Sequence, residues 1–570
     1  MTKQRRGSGV WVLAAVLCLT ASLAVAQSTA PQAPQAAHKI TPEQTKQLFS
    51  LVDELIQFSS DETGLPIKST VKRQITSRET VESNLKQKFD EDESAKRMQQ
   101  SEIVLKKFGL LDRDFALKPF LLALLKEQIE AYYDPKTKTV YMLDWVDMEE
   151  QKPVLAHELT HALQDQHSDL EKWNDQTPDE VSVNYAGDVD HLNRDEMDTA
   201  RQAVVEGQAT AVMMDYILKP MGKSLVKDPE VTEMVGQMNG AESSPVLARA
   251  PLLLSESLIF PYREGLSFEQ DVWMDQGQAA AFTGTLDHPP ASSWEILNPR
   301  EYEKRHAPPV PLLPNIHPLL NSRYKPYDIG QIGQLDLRIL AQLFGGEQAA
   351  SDLTPAWDGG IYWAGQLRSA KTPAEKAKTN SLAIFYLSSW KNAASAQAFA
   401  ELYADELRRK YDRVQLETGK ESAARPKHSS GYKVFPAPAE PVDESSETAP
   451  ISTDQEQVYT TSEGSVVITI RGKRVFVAES FPLDLARKLT KLILDAQGSG
   501  EVKMAAQPIP EPLSSGWIRF FANCGVMKAA VEAEIKAAAR QGIGNRKESL
   551  VGVLGFPCPK IRSWKTNHNR

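Results

Sequence analysis

The stretch "HELTHALQDQH", residues 157–167, sets two histidines four positions apart, with a glutamate directly after the first. On a helix, positions i and i+4 share a face, so His157 and His161 point the same way, about 40° apart around the axis. Glu158 lies about 100° round from His157. That is too close in sequence to complete a coordination shell, but well placed to hold a water on a shared ion. Two imidazoles with an adjacent carboxylate in this spacing suit a catalytic zinc, the glutamate taking the proton of the metal-activated water. Val154, Leu155, Leu159 and Leu163 supply the apolar face such a helix needs to pack. Just upstream, "AYYDPKTKTVYML" (131–143) places the turn signal Asp134-Pro135-Lys136 between two β-prone runs, which predicts a hairpin.

A third protein ligand is needed, and two candidates compete. His167 follows His161 at the spacing of the metzincin peptidases, where a glycine breaks the helix and turns the chain back to the metal. Here that position is Gln164, a good helix former. If the helix continues, His167 sits about 280° round from His157 and about 9 Å beyond His161 along the axis, out of reach of the same ion. The better candidate is Glu206, in the small and apolar run Ala203-Val204-Val205-Glu206-Gly207. A carboxylate buried there is costly unless it is partnered. A metal is one such partner, and a salt bridge to Arg201 is the alternative. Ala203 and Gly207 predict a close approach of this helix to the one that carries the histidines.

With its later "VVEGQAT" (204–210), "HELTHALQDQH" resembles the gluzincin-like, thermolysin-related peptidases, especially a bacterial exported group. The likeness spans residues 100–305 and includes "SLIFPYREGLSF" (257–268) and "HPPASSWEILNPREY" (288–302). It implies a zincin-like fold and one Zn2+ held by His157, His161 and Glu206, with Glu158 as general base. The chain departs from the pattern at Thr210, where gluzincins often carry an acid that supports a zinc histidine. It departs again at Ser292-Ser293-Trp294-Glu295 and Asn298. A peptidase also needs a donor for the developing oxyanion. Tyr262 is the first candidate and His191 the second; the plain alternatives are a half-buried core tyrosine and a surface loop histidine. Asp165 is a candidate acceptor for the second ring N–H of a zinc histidine.

The remainder of the chain sets limits. It has 570 residues, 41% of them hydrophobic and 25% charged, a composition suited to more than one folded domain. Lys3, Arg5 and Arg6, the run 9–26 and Ala24-Val25-Ala26 read as a secretory signal peptide over 1–26, or as an anchor if uncleaved. Without that segment the formal charge moves from −10 to −13, which argues against a nucleic-acid partner. Cys524 and Cys558 then remain, either paired or as separate thiols.

A Pro/Ala/Gln linker occupies 27–38, and Thr41-Pro42 opens a helix. A polar loop of about 25–30 residues, with Pro178 and Gly187 inside it, is expected after the His157 helix, and the next helix should run from about Asp195 to Leu218. Prolines 308, 309, 311 and 314 mark a boundary. The expected organisation is α+β: a mainly helical catalytic domain with a β-hairpin over 39–310, then a smaller, separate α+β domain over 315–500. The second domain should carry a disordered insertion at 416–456, and 501–570 should form a C-terminal extension.

The expected function is an exported, periplasmic or secreted zinc metallopeptidase acting on peptides or proteins, with no membrane span after signal cleavage. The alternatives are a non-catalytic zinc-binding envelope scaffold and a metzincin-type site using His167.

Overall fold

The computed structural model describes residues 40–83, 93–128, 131–146, 148–174, 176, 178, 181–228, 245–418 and 454–498. The signal and linker segments, Cys524, Cys558 and the C-terminal extension lie outside these residues.

Helix α1 (Pro42–Thr63) starts as its sequence predicts. The Thr41 side chain accepts from the Gln44 N–H while the Gln44 side chain accepts from the Thr41 N–H, a reciprocal cap. Strand β1 (Lys72–Thr76), α2 (Glu93–Phe108) and α3 (Leu117–Gln128) follow. The hairpin is β2 (Ala131–Asp134) and β3 (Thr139–Leu143), antiparallel, with Tyr133 opposite Val140. Strand β1, not expected from the sequence, pairs parallel with β3, so the small sheet has the order β1-β3-β2. With one apolar residue, Ile75, among its five, β1 carries too little apolar alternation to be read as a strand.

Helix α4 (Met148–Ser168) carries the two histidines and contains Pro153 near its start. The polar loop expected next is largely helical. It holds a single turn at Leu170–Trp173 and α5 (Tyr185–Arg194), in which Gly187 is a helical residue just after the Asn184 cap. Helix α6 (Met197–Leu218) is buried around nearly its whole circumference and is the central helix of the first half. Helix α7 (Leu252–Gln276) packs along it. The crossing is close because Gly207 meets Gly265: a Cβ on Gly207 would lie 2.4 Å from the Gly265 carbonyl carbon, and one on Gly265 would lie 2.2 Å from the Ala203 oxygen. The small residues of α6 thus serve its contact with α7, where the sequence had suggested α4. A mid-helix glycine costs about 1 kcal/mol relative to alanine, and this backbone approach is the return for it.

The second half is a seven-stranded antiparallel sheet of β4 (Tyr324–Gln331), β5 (Trp357–Leu367), β6 (Leu382–Trp390), β7 (Val414–Thr418), β8 (Gln455–Thr461), β9 (Gly464–Arg471) and β10 (Arg474–Glu479). Its order is β4-β5-β6-β10-β9-β8-β7. Helices α8 (Gln334–Leu353), α9 (Ala393–Lys410) and α10 (Leu483–Ala496) accompany it. Alternate residues of β6 face opposite cores: Leu382, Ile384 and Tyr386 one, Ala383, Phe385 and Leu387 the other. Burial on both faces explains why this strand reads as one unbroken apolar run.

The molecule is α+β, but the two halves are not separate. The larger core runs from Leu48 in α1 through Leu159, Val204 and Phe260 to Tyr386 and Val477. Phe108 of α2 sets its ring edge against Tyr362 and Tyr386 of the sheet. The proline-rich stretch after 305 is an extended connection between halves that share this core. At the expected insertion, 416–418 belong to β7 and 455–456 to β8; residues 419–453 lie outside the described residues.

Candidate metal centre

Helices α4 and α6 bring three side chains to one point. His157 Nε2 lies 3.0 Å from Glu206 Oε2, and His161 Nε2 lies 3.5 Å from the same oxygen. Ligand atoms of the three groups all fall within 4.8 Å of one another, the spread that a single ion requires. Among the described residues this is the one His/Cys/Asp/Glu group with that property. The residues are interior: His157 is 0% exposed, Glu206 2% and His161 7%. A carboxylate converging with two imidazoles in so dry a place needs a cation or a shared proton to balance it. The donor set, two nitrogens and one carboxylate oxygen, matches what zinc takes in sites that keep a position open.

Glu158 stands beside this point, 1% exposed. Its Oε2 accepts the backbone N–H of Tyr133 at 2.7 Å. Tyr133 belongs to β2, the edge strand of the small sheet, so the hairpin sets the angle of the glutamate. Tyr133 also lines a cavity of about 180 Å³ with Lys68, Val71, Lys138, Asp165 and Gln166.

The remaining sequence candidates fall as follows. His167, at the end of an unbroken α4, pairs with Asp287 at 2.9 Å and is not part of the convergent group. Arg201 reaches the Trp173 carbonyl and lies over the Trp173 ring, while Glu206 Oε1 accepts from Gln202 Nε2 at 2.9 Å. Asp165 is taken by Tyr133 Oη (2.6 Å), Lys138 Nζ (2.8 Å) and the Leu170 N–H (3.1 Å), so it serves the hairpin and the end of α4, not a ligand histidine.

Tyr262 is fully interior in α7, 3% exposed, and its ring stacks beside His157 with centroids 6.2 Å apart. That places it beside the convergent group, more buried than the half-buried core tyrosine of the plain alternative. His191 is buried on α5 rather than exposed in a loop. Its Nε2 lies 3.5 Å from Asp195, and neighbouring carboxylates hold its pKa above the ordinary value against the effect of burial. It belongs to the junction with β4, not to the metal centre.

The later segment is structural too. Ser293 donates its N–H to Glu196 Oε2 at 3.0 Å, and Asn298 donates to Gln334 Oε1 at 2.7 Å. Glu295, buried, accepts the Ala291 N–H at 2.6 Å, and burial pushes its carboxyl up to about 7.

Gln164 is the residue that sequence reasoning missed. Its Oε1 lies 2.9 Å from His161 Nδ1, and its Nε2 donates to the Val205 carbonyl (3.0 Å) and to Gln208 Oε1 (2.9 Å). The signal was present: Gln164 lies three positions after His161 and so above it on the same helix face.

Compared with known proteins, the chain matches no family model, no curated protein and no solved structure.

Proposed function

We propose that the chain is a zinc-dependent peptidase of the gluzincin type, with His157, His161 and Glu206 as ligands and Glu158 as general base. The observation that carries this reading is the convergence of both histidine Nε2 atoms on one oxygen of a buried glutamate 45 residues further along the chain. The four residues are also those that the resemblance to gluzincins selects, and helix on helix with a β-hairpin alongside suits a zincin-like domain.

When bound, the ion supplies Lewis-acid polarisation of a carbonyl and makes a water acidic enough to attack it. The protein's own groups do the rest. Glu158, held by the Tyr133 N–H, takes a proton from the attacking water and returns it to the departing amine. Gln202 orients Glu206 from within its own helix. Edge strand β2 offers a substrate an extended backbone to lie against, beside the cavity that Tyr133 lines. The leader-like residues 1–26 support action outside the cytoplasm. No helix among the described residues is long and apolar enough to cross a membrane.

The test is zinc content together with hydrolysis of an unfolded protein, compared between the parent chain and Glu158→Gln. The expected result is zinc in both and a loss of hydrolysis of about 10²–10⁴-fold in the variant. Equal hydrolysis in the two overturns the assignment of the base. Stoichiometric zinc with no hydrolysis by the parent chain makes it a binding scaffold instead.

A further inference from the structure

We propose that Gln164, anchored by Gln208, fixes the proton of His161 on Nδ1 and thereby keeps the Nε2 lone pair turned towards Glu206 and a bound cation. The inference rests on the metal-site reading above, but it concerns residues outside the ligand set.

The direction of each amide is set by backbone carbonyls, which can only accept. Gln164 Nε2 lies 3.0 Å from the Val205 carbonyl oxygen. That end of the amide is therefore the NH2, and the end facing His161 Nδ1 at 2.9 Å is the oxygen. Gln208 is oriented in the same way. Its Nε2 lies 2.9 Å from both the Ala281 and the Phe282 carbonyls and 2.8 Å from Thr285 Oγ1. Its oxygen therefore faces Gln164 Nε2, at 2.9 Å. Neither assignment depends on the other, and both agree.

The consequence for His161 follows from donor and acceptor counting. Nδ1 faces an oxygen that has no hydrogen to give, so Nδ1 must carry the proton. The neutral ring then presents a bare Nε2 at 3.5 Å from Glu206 Oε2. Two acceptors that face each other this way repel unless a cation lies between them. The amides thus hold His161 in the tautomer that binds a metal, whereas free neutral histidine in water prefers its proton on Nε2. Both links are neutral, so they supply orientation and add no charge to the ring. Every group involved is buried: Gln164, Gln208 and Thr285 are each 0% exposed, so water does not compete for these bonds.

The decisive measurement needs neither metal nor activity. The zinc-free full chain, labelled with ¹⁵N-histidine, is read by long-range ¹H–¹⁵N correlation, with the His161 signals assigned by their loss in His161→Asn. In the parent chain Nδ1 is expected to bear the proton. In Gln164→Leu that preference should disappear, and zinc affinity, read by competition with a chelator, should fall about 10- to 100-fold. Gln208→Leu leaves the Val205 contact in place and should keep the tautomer with a smaller loss of affinity. A bare Nδ1 in the parent chain overturns the proposal even if Gln164→Leu fails to fold. Unchanged tautomer and affinity in a folded Gln164→Leu overturn it as well. A parent chain that takes up no zinc but has its proton on Nδ1 sinks the metal-site reading alone. Zinc uptake with a bare Nδ1 sinks only the role of the glutamines.

Discussion

At the scale of single residues, the centre depends on a few polar groups placed where water does not reach. Glu206 is the member of the convergent group most distant in sequence from the other two, and it alone brings a carboxylate to the two buried imidazoles. Glu206→Ala is expected to abolish zinc binding, whereas His167→Ala should leave zinc in place, because His167 is held by Asp287 away from the centre. Metal analysis of the two purified variants checks this, and the reverse pattern would restore the metzincin-type arrangement. Tyr262 tests a different point. Its ring lies against that of His157, and packing and oxyanion stabilisation give different outcomes for removal of its hydroxyl. Tyr262→Phe should keep zinc and lie within a few-fold of parental kcat, while a loss of about 10²-fold or more, the effect of removing one oxyanion donor, would return it to a catalytic role.

At the scale of elements, the position of Glu206 is set by how α6 crosses its neighbours. The Gly207–Gly265 contact leaves no room for a side chain on either helix. Gly207→Val should therefore force α6 and α7 apart, costing about 3 kcal/mol or more in denaturant unfolding, at or above the upper end of ordinary overpacking. It should also weaken zinc binding through the adjacent Glu206. A valine on the exposed face of α10, far from this crossing, provides the control.

The same scale shows what could be read without coordinates. The reciprocal cap at Thr41, the hairpin around Asp134-Pro135-Lys136 and the helix over 197–218 were legible because local chemistry specifies them. Strand β1 was not, since its pairing with β3 comes from a partner more than sixty residues away and not from its own pattern. Gly187 reads from sequence as a loop residue because glycine ordinarily punctuates helices. Here it falls in the first turn of α5, under the Asn184 cap, where its N–H is bonded by the cap itself.

At the scale of the whole molecule, buried charge lies where the halves meet. Lys107 of α2 bonds Glu463 of the second half at 2.7 Å, and within that half Lys410 of α9 bonds Glu479 of β10 at 2.5 Å. Tyr403 and Tyr411 also donate to Glu479. Lys107, Lys410 and Glu479 have side chains between 0% and 1% exposed. Removing one partner of such a pair strands the other charge, so Lys410→Met should cost about 3–5 kcal/mol. It should lower the single unfolding transition of a molecule with a shared core, not split it in two.

A second whole-molecule effect is pH dependence. Glu196, interior at the junction and bonded to Ser293, has its carboxyl pushed up to about 8, by burial first and by Asp336 next. Its folded pKa therefore exceeds the ordinary carboxylate value, and the folded state binds more protons than the unfolded one in this window. Its contribution to stability is complete below about pH 4.5 and is lost as pH rises towards 8. The melting temperature should fall across that range, and Glu196→Gln should flatten the slope; a slope unchanged in the variant assigns it to other groups.

By itself, the sequence determined the local pieces. These are the i, i+4 histidines with Glu158 between them, the improbability of His167 as a ligand on an unbroken helix, and Glu206 as a carboxylate too apolar in its setting to stand alone. Each follows from helix geometry or from the cost of burying charge, which neighbouring residues already define. Only the tertiary structure decided which groups complete the site's surroundings: Tyr133 holding Glu158, Gln164 and Gln208 orienting His161, Gly265 receiving α6, and one core joining halves that composition had divided. These depend on which surfaces meet, and that is settled by packing between residues tens to hundreds of positions apart.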